Sequence, residues 1–210
     1  MIDESYSIFG FGSLAHVIAK FLAAKNILVE SFIVEDTFRN RDVDGNANCL
    51  SVSEFAQKRD FIKKRVIFAV GYRDPKEKQL LFNRLDEIGI NFVNLIFSKN
   101  CFINDDNIGR GNIFFPEAMI EPSVQVGNGN VFWSRAHICH DTVIGDFNFF
   151  ATNSVIGGET KIGNRNFFAL GSIIRNGISI ENDVCIGMGS VVTKSIRQPG
   201  TYIGSPAKFV

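Results

Sequence analysis

A six-residue hydrophobic repeat runs through the second half of the chain and limits the folds open to it. Every sixth residue from Phe102 to Val192 is large and apolar, sixteen times in succession. The members are Phe102, Ile108, Phe114, Ile120, Val126, Phe132, Ile138, Ile144, Phe150, Ile156, Ile162, Phe168, Ile174, Ile180, Ile186 and Val192. This period does not match the 3.6 residues of an α-helical turn, and six residues are short for a hairpin. It is typical of a solenoid in which each unit forms one side of a coil.

A second set of positions, two residues before each large one, supports this prediction from residue 118 onward. Most of its members are small or polar: Ala118, Asn130, Ala136, Thr142, Asn148, Ser154, Thr160, Asn166, Ser172 and Ser190. The larger exceptions are Val124, Ile178 and Val184. Because side chains two residues apart share one face of a strand, each unit presents one large and one small residue to the interior.

Glycines recur at the spacing of a complete coil. Gly109, Gly127, Gly145 and Gly163 stand at every third unit of the repeat, and Gly187 also follows a large residue. We expect the backbone there to pass a corner or a close neighbour. Three six-residue sides make a triangular coil of 18 residues, so the repeat holds about five coils and rises about 24 Å at the usual strand spacing.

The repeat and the tail together resemble a known family. The tail, Gly204-Ser205-Pro206-Ala207-Lys208, matches the Gly-x-Pro-Ala-Lys closing segment of the hexapeptide-repeat acyltransferases. The resemblance implies that residues 98–210 form an all-β left-handed parallel β-helix with a C-terminal tail. The left hand is implied by the family and not by the periodicity, because crossover connections are otherwise right-handed.

Residues 1–97 have a different pattern, in which strands alternate with helices. The predicted strands are residues 5–10, 28–34, 66–70 and 91–96, and the predicted helices are residues 14–25, 53–64 and 75–88. The first helix has an apolar face formed by Leu14, Ala15, Ile18, Ala19, Leu22 and Ala23. Ser53 is the expected N-cap of the second helix. This order predicts a parallel sheet with helices on both faces, an α/β Rossmann-like half domain.

A glycine motif follows the first strand, where nucleotides bind in such folds. Gly10-x-Gly12-x-x-Ala15 leads into a helix, and Glu35 and Asp36 stand about 23 residues later. A dinucleotide fold needs two such halves and this segment offers one, so a mononucleotide or a nucleotide-sugar fits it better. The alternative is a glycine turn that only permits tight packing.

The two-part organisation resembles a group of sugar acetyltransferases that includes bacillosamine-pathway N-acetyltransferases and sialic acid O-acetyltransferases. The resemblance implies that the N-terminal domain holds the nucleotide of a sugar substrate. The positions that match are Gly10, Gly12, Ser13, Leu14, Glu35, Asp36, Gly71 and Tyr72. Leu14 stands where some members carry histidine, so the resemblance does not specify the nucleotide or the sugar.

The candidate catalytic residues lie in Arg135-Ala136-His137-Ile138-Cys139-His140-Asp141. If Ile138 points inward, His140 and Asp141 fall at a corner of the coil and face outward. The resemblance, carried by the pattern from Ile138 to Gly145, implies that His140 is the general base and that Asp141 raises its basicity. Neutral imidazole is plentiful at pH 7 and can accept a proton directly. The alternative for His140 is a polar corner residue.

The other candidates for chemistry are weaker. His137 is a surface residue, a contact to the substrate or a residue that orients the base, and His16 is expected to be structural or to lie at the surface. We expect no metal site, because alternation places Cys139 on the opposite side from Ile138 and His140 and the spacing is not a standard zinc pattern. A nucleophilic role for Cys139 is not expected either, since direct acetyl transfer needs no covalent enzyme intermediate.

The resemblance also implies that coenzyme A lies along the solenoid, in a groove between subunits of a homotrimer. The implied cofactor contacts are Phe149, Gly158, Leu170, Gly187, Met188 and Gly189. Lys194 and Lys208 are candidates for its phosphates or simply solvated lysines. We expect the rings of Phe147, Phe149 and Phe167 to point outward and to suit the trimer interface.

Composition excludes several classes of function. Lys plus Arg equals Asp plus Glu at 22 each, so the chain lacks the basic excess of a nucleic-acid-binding protein. No signal peptide and no membrane span are predicted, and four scattered cysteines suit the cytoplasm.

The predicted function is acetyl-CoA-dependent N-acetylation of a nucleotide-linked amino sugar, as in polysaccharide biosynthesis. O-acetylation of a sialic acid or a related sugar is the alternative. Two other classes are a metal-dependent hydratase on the same solenoid and a non-catalytic scaffold. A nucleotidyltransferase is excluded, because its N-terminal domain would be about twice this size.

Overall fold

The computed structural model describes residues 5–38, 48–71, 74–104 and 106–210. The chain divides into two units, Met1–Val93 and Asn94–Val210. The observed boundary lies four residues before the predicted one, which was placed after residue 97. The difference arises because Leu95 and Ile96 pair with a strand of the solenoid and so belong to the second unit. None of the helices in the described ranges has the length and apolar character needed to cross a membrane.

The first unit is a parallel sheet with flanking helices, as predicted. Its elements are β1 (Ser5–Phe9), α1 (Ser13–Ala23), β2 (Leu28–Val34), β3 (Cys49–Ser51), α2 (Val52–Ala56), β4 (Val66–Phe68) and α3 (Pro75–Glu87). Short 3₁₀ turns occur at Asp36–Phe38 and Phe61–Lys63. The strand order is β3-β2-β1-β4, with every pair parallel.

Apolar periodicity accounts for the first helix and its contact with the sheet. Leu14, Ala15, Ile18 and Leu22 are buried on the predicted face of α1. Gly10 allows the turn between β1 and α1, because it has a φ of 117° and a Cβ there would lie 2.6 Å from the carbonyl oxygen of Ala69. Only glycine adopts this conformation without strain, so β1 and the segment after β4 approach closely at this point.

Two predictions for this unit are wrong. The helix α2 spans five residues and begins after Ser51, not Ser53, because Ser51 and Glu54 form a reciprocal capping box. It does not extend to residue 64, since Asp60 takes a left-handed φ of 63° that ends helical geometry.

The fourth strand of the sheet is also not the predicted one. Residues 91–96 do not form a continuous strand: Phe92 makes a single bridge to Val66, and Leu95–Ile96 pairs with Ile113–Phe114 of the solenoid. The sheet is completed instead by Cys49–Ser51, a strand of three residues that the pattern did not reveal.

The second unit is built from very short strands, most of them two residues long. They are β5 (Leu95–Ile96), β6 (Ile113–Phe114), β7 (Met119–Ile120), β8 (Gln125–Val126), β9 (Val131–Phe132), β10 (His137–Ile138), β11 (Val143–Ile144), β12 (Phe149–Phe150), β13 (Val155–Ile156), β14 (Lys161–Ile162), β15 (Phe167–Phe168), β16 (Ile173–Ile174), β17 (Ser179–Ile180), β18 (Val184–Ile186), β19 (Val191–Val192), β20 (Gly200–Gly204) and β21 (Ala207–Phe209).

These strands stack into three sheets, one on each face of the solenoid. The first face runs β5-β6-β9-β12-β15-β18-β20-β21, the second β7-β10-β13-β16-β19 and the third β8-β11-β14-β17. Within the coils, each strand pairs in parallel with the strand three units further on, as His137 does with Val155. The predicted coil length is therefore confirmed.

The solenoid core follows the six-residue repeat from its third member onward. All fourteen repeat residues from Phe114 to Val192 are buried, and Ile108 packs against them. Phe102 is 61% exposed, so the prediction fails at the first member. Cys101, not Phe102, pairs with Ile120, and this slip of one residue turns Phe102 outward.

Aromatic and amide side chains form continuous ladders inside the coils. The rings of Phe114, Phe132, Phe150 and Phe168 stack at centroid distances of 4.6, 4.8 and 4.8 Å. The backbone N–H of Asn130 donates to Oδ1 of Asn112, one coil earlier, at 2.8 Å, and the side-chain amide of Asn130 donates to the carbonyl of Gly145 at 2.9 Å. Asn148 repeats the arrangement one coil later. These bonds satisfy backbone groups that a buried corner would otherwise leave unpaired.

The corners turn through left-handed residues, and the repeated glycines serve close packing instead. Left-handed φ values recur at two corners, each time one coil of 18 residues further on: at Glu117, Arg135 and Asn153, and at Ser123, Asp141 and Glu159. Gly127 has no positive φ, but a Cβ there would lie 2.8 Å from the carbonyl carbon of Gly145. Each glycine of this column therefore allows one coil to lie directly against the next.

One of the three rings expected to point outward is buried. Phe147 is only 4% exposed, and its ring packs where a Cβ on Gly129 would lie, 2.5 Å from Cδ1. This prediction is wrong because Phe147 occupies a left-handed corner, with a φ of 58°, and folds back on the neighbouring coil. Phe149 and Phe167 do face outward on the first face, where they are half-buried and stacked at 5.3 Å.

Candidate active site

His140 lies at the corner that follows β10, between the second and third faces of the solenoid. Its side chain is exposed, and its Nδ1 atom lies 2.8 Å from Oδ2 of Asp141. Neighbouring side chains usually diverge, but Asp141 has a left-handed φ of 57°. At this corner, the carboxylate of Asp141 lies beside the imidazole of the residue before it.

The charge around the imidazole favours its protonated form. The hydrogen bond to Asp141 is the main cause that raises the pKa of His140 above its ordinary value, and the charges of Glu121 and Glu159 add to it. In the neutral ring, Nδ1 donates its hydrogen to Asp141, so Nε2 carries the free lone pair. The arrangement therefore presents Nε2 as a proton acceptor.

Gly158 provides the space for this ring. A Cβ at Gly158 would lie 2.9 Å from Nε2 and 3.0 Å from Cε1 of His140. These distances are shorter than normal contacts, so a larger residue would displace the imidazole. Gly158, predicted as a contact for coenzyme A, thus lies one coil above His140 and against its reactive edge.

Glu121 is a site residue that sequence reasoning missed. Its Oε2 accepts the backbone N–H of His140 at 2.8 Å, and its Oε1 lies 2.7 Å from Nε2 of His137. The donated N–H of His140 is the main cause that lowers the pKa of Glu121, so its carboxylate is ionised. The coil length would have revealed the contact, because it stacks Glu121 directly below Cys139.

His137 and Cys139 both point outward from the second face. His137 is half-exposed and held by Glu121, and Sγ of Cys139 lies 4.0 Å from its Nε2. Burial is the main cause that raises the pKa of the Cys139 thiol, and the charge of Glu121 acts in the same direction. A protonated thiol is a poor nucleophile, which argues against covalent catalysis by Cys139.

In the first unit, the predicted nucleotide contacts lie in loops after the strands. Gly12 and Ser13 are exposed at the N-terminus of α1, and a Cβ on Gly12 would meet nothing within 4 Å. The Leu14 side chain is buried, so it can offer a ligand only its backbone N–H. Gly71, after β4, is exposed and equally unobstructed. Tyr72 lies outside the described residues.

The two acids after β2 are engaged within the unit. Glu35 forms an ion pair with Arg84 of α3. The carboxylate of Asp36 accepts hydrogen bonds from the backbone and the hydroxyl of Ser53, at 3.1 and 2.9 Å. Bonds from the Ser51 hydroxyl and the Ser53 backbone are the main causes that lower the pKa of Asp36. The predicted loops therefore follow β1, β2 and β4 at one edge of the sheet, where ligands bind in parallel α/β folds.

Apart from Gly158, the predicted coenzyme A contacts do not lie near His140 within one chain. Phe149 lies on the first face, whereas Leu170, Met188 and Gly189 lie at the corners between the first and second faces. Leu170 and Met188 are 52% and 74% exposed. Because a six-residue side separates this edge from the His140 edge, the two are about 20 Å apart.

Gly187, the remaining predicted contact, is held by the tail of the solenoid. It follows β18, and a Cβ there would lie 2.6 Å from Cγ2 of Ile203 in β20. At this edge, between the first and second faces, the exposed side chain of Met188 thus lies beside the closely packed backbone of Gly187.

Solved structures with this architecture are known. A histidine-to-asparagine mutant of perosamine N-acetyltransferase from Caulobacter crescentus, in complex with CoA and GDP-perosamine, superposes with a TM-score of 0.84 at 23% identity, over 100% of this chain and 98% of that one. The acetyltransferase domain of PglB from Neisseria gonorrhoeae, in complex with acetyl coenzyme A, has a TM-score of 0.81 at 18% identity, over 99% and 100%. The chain has the fold of these acetyltransferases.

WeeI from Acinetobacter baumannii has the same fold, with a TM-score of 0.61 at 22% identity over 98% of this chain and 100% of that one. The chain thus consists of an N-terminal α/β part followed by a left-handed parallel β-helix, as the resemblance to the hexapeptide-repeat acyltransferases implies. No family model and no curated protein matched the sequence.

Proposed function

We propose that this chain is an acetyl-CoA-dependent acetyltransferase that N-acetylates an amino sugar carried on a nucleotide. The observation that carries the proposal is the exposed His140 ring, whose Nδ1 is bound to Asp141 and whose Nε2 is left as a base. The fold adds support, because the perosamine N-acetyltransferase that shares it is described in complex with CoA and GDP-perosamine.

Acetyl transfer requires a base at the attacking amine. As the amine nitrogen forms its bond to the thioester carbon, it loses a proton, which His140 accepts at Nε2. The carbon–sulfur bond then breaks, and the thiolate of coenzyme A takes up the proton from the imidazolium. Asp141 stabilises the imidazolium in between, because its carboxylate is hydrogen-bonded to Nδ1. No step requires a covalent bond to the protein.

We place the nucleotide of the sugar at the open end of the sheet in the first unit. Gly12 and Ser13 present free N–H groups at the N-terminus of an 11-residue helix, where phosphates are favoured by the helix dipole. The absence of a side chain at Gly12 and Gly71 lets a ligand approach the backbone. Because Glu35 and Asp36 are engaged by Arg84 and Ser53, their contribution is to shape this edge.

We propose that the working enzyme is a homotrimer. The predicted coenzyme A contacts Leu170, Met188 and Gly189 lie on a different edge of one solenoid from His140 and Gly158, so an edge from a second copy is needed to bring the two sets together. A closed three-fold ring joins unlike edges without leaving a free one. The four free cysteines fit a reducing compartment, and we place the protein in the cytoplasm.

The test is an acetyl-transfer assay with a panel of UDP-, GDP- and dTDP-linked amino sugars, in which the rate is measured from the coenzyme A thiol that is released. His140→Ala is expected to lower kcat by about 10²- to 10⁴-fold with little change in KM, because only the base is lost. Asn176→Ala is the matched control, since Asn176 is an exposed residue at the same corner two coils further on. Undiminished turnover in His140→Ala would disprove the proposed base.

The same panel distinguishes the alternative acceptor. His140 can deprotonate a hydroxyl group as well as an amine, so O-acetylation of a sugar remains the second candidate. Each amino sugar is compared with its hydroxyl counterpart at equal concentration. A higher kcat/KM for the hydroxyl substrate would assign the chain to O-acetylation.

A further inference from the structure

Three different ligand groups meet on the second face of the solenoid. A carboxylate oxygen of Glu121, an imidazole nitrogen of His137 and Sγ of Cys139 all lie within 4.8 Å of one another. In the described ranges, no other three His, Cys, Asp or Glu side chains lie this close together. The cluster does not include His140, the proposed base.

The fold holds these three side chains in one place. His137 and Cys139 flank the inward-facing Ile138, so both point outward on the same strand segment. Glu121 lies one coil below Cys139, and its side chain is fixed by the backbone N–H of His140 at 2.8 Å. Parallel pairing on both sides of β10 keeps the strand in register with β7 and β13. The ligands are therefore positioned by the rigid part of the molecule.

We propose that Glu121, His137 and Cys139 form a binding site for one divalent transition-metal ion, with Zn²⁺ as the ion that suits it best. The donor set combines a sulfur, an imidazole nitrogen and a carboxylate oxygen, which Zn²⁺ accepts and which the hard ions Mg²⁺ and Ca²⁺ do not prefer. Three protein ligands leave the fourth tetrahedral position open to water or to a small molecule.

The observed distances are close to those of a tetrahedral site. With ordinary zinc bond lengths, sulfur and nitrogen ligands are about 3.6 Å apart and nitrogen and oxygen ligands about 3.3 Å apart. Sγ of Cys139 and Nε2 of His137 are 4.0 Å apart, whereas Nε2 and Oε1 of Glu121 are 2.7 Å apart. Binding thus requires shifts of about half an ångström, with the ion taking the place of the proton shared by His137 and Glu121.

Side-chain exposure gives an ion access to the cluster. The side chains of His137 and Glu121 are 34% and 24% exposed, so the site is neither sealed nor freely solvated. A carboxylate and a thiolate together would balance the two positive charges of the ion. This inference concerns metal binding alone and does not depend on the proposed acetyl transfer.

The experiment uses Co²⁺ as a spectroscopic probe on the full chain, after removal of metal by a chelator. The expected result is one Co²⁺ per chain with a thiolate-to-cobalt charge-transfer band that Zn²⁺ abolishes by displacement. Cys139→Ser should lose the band, and His137→Gln should weaken binding while the far-UV circular dichroism is unchanged. Two separate variants keep the test informative if one fails to fold.

Cys185→Ser is the matched control. Cys185 is also a half-exposed thiol on a solenoid strand, but it lies on the first face, where it pairs with Phe167. Its substitution should leave both the band and the stoichiometry unchanged. The proposal fails if the unaltered chain shows no thiolate band, if the band persists in Cys139→Ser, or if Cys185→Ser removes it.

Discussion

The two units of the molecule obtain their order in different ways. In the solenoid, a strand contacts the strands one coil before and one coil after it, so Ile138 pairs with Ile120 and Ile156. In the first unit, Ser7 of β1 pairs with Ser31 on one side and with Val66 on the other. One spacing specifies nearly all of the solenoid, whereas each contact of the α/β unit depends on its own local signals.

The difference extends to the sites that the units carry. In the solenoid, Glu121, His137 and His140 come together because stacking brings successive coils into contact. In the first unit, the open edge is made by loops that follow different strands, and its glycines matter because they keep side chains away. A substitution in one coil should therefore alter stability through its contacts with the coils on either side. A substitution in the first unit should alter stability through a local feature, such as a helix cap or a buried charge.

The largest effect is expected in the aromatic ladder of the solenoid. Phe150 is fully buried and stacks on Phe132 and Phe168 at 4.8 Å each. Phe150→Ala removes both contacts and leaves a cavity, so we expect the free energy of unfolding to fall by about 3–5 kcal/mol. Urea denaturation followed by the fluorescence of Trp133, the one tryptophan of the chain, measures it.

Phe149→Ala is the control for this prediction. The two phenylalanines are adjacent, but Phe149 points outward and is half-buried. Its replacement should cost clearly less than that of Phe150. Equal losses would show that inward and outward positions do not differ in the way that the six-residue repeat requires.

The second prediction concerns a buried charge in the first unit. Lys78 of α3 is 3% exposed, and burial lowers its pKa to about 7. Between this value and the ordinary lysine pKa near 10.4, the unfolded chain binds a proton that the folded chain does not, so stability rises with pH. We expect the free energy of unfolding to increase by about 1 kcal/mol per pH unit from pH 7 to 10.

The comparison with Lys78→Met isolates this effect, since other groups titrate equally in both proteins. Urea denaturation followed by circular dichroism at 222 nm reports on the first unit, because α1, α2 and α3, the α-helices of the described residues, all belong to it. The difference between the two proteins should be largest at pH 7 and should shrink toward pH 10. A difference independent of pH would contradict the prediction.

The smallest effect separates two candidate caps of α2. The Ser51 hydroxyl accepts the N–H of Glu54 at 3.1 Å, while the Glu54 carboxylate accepts the N–H of Ser51 at 2.6 Å. Ser51→Ala should lower the free energy of unfolding by about 1 kcal/mol. Ser53→Ala breaks an exposed bond to Asp36 and should cost less than about 0.5 kcal/mol. The reverse order would restore Ser53 as the cap.

The sequence predicts the solenoid almost completely, because a repeat averages over many units. The first member, Phe102, is the exception, since the chain enters the coil with Cys101 opposite Ile120 and no earlier coil sets its register. In the first unit, β2 and α3 match their predicted bounds closely because their patterns are long. Cys49–Ser51 is too short to stand out, and two serines near one helix start offered two plausible caps.

The candidate site was predicted in part for the same reason. His140 and Asp141 are adjacent in the sequence, so a linear pattern contains them both. Glu121 is remote in sequence and becomes a neighbour only when the coil length is applied to outward residues as well as to the core. The predicted loops of the first unit follow its strands, as expected. The sequence did not show that Glu35 forms an ion pair with Arg84 or that Asp36 accepts hydrogen bonds from Ser53.

The direct stacking of coils has a consequence for how such a chain can change its length. A residue added within a side would turn the large side chain of that side to the outer surface, as at Phe102, because the faces alternate along a strand. A whole coil can be added or removed without this penalty, and each one changes the height by about 4.8 Å. Natural variation in length should therefore come in steps of one full turn, or as excursions at the left-handed corners, which lie outside the paired strands.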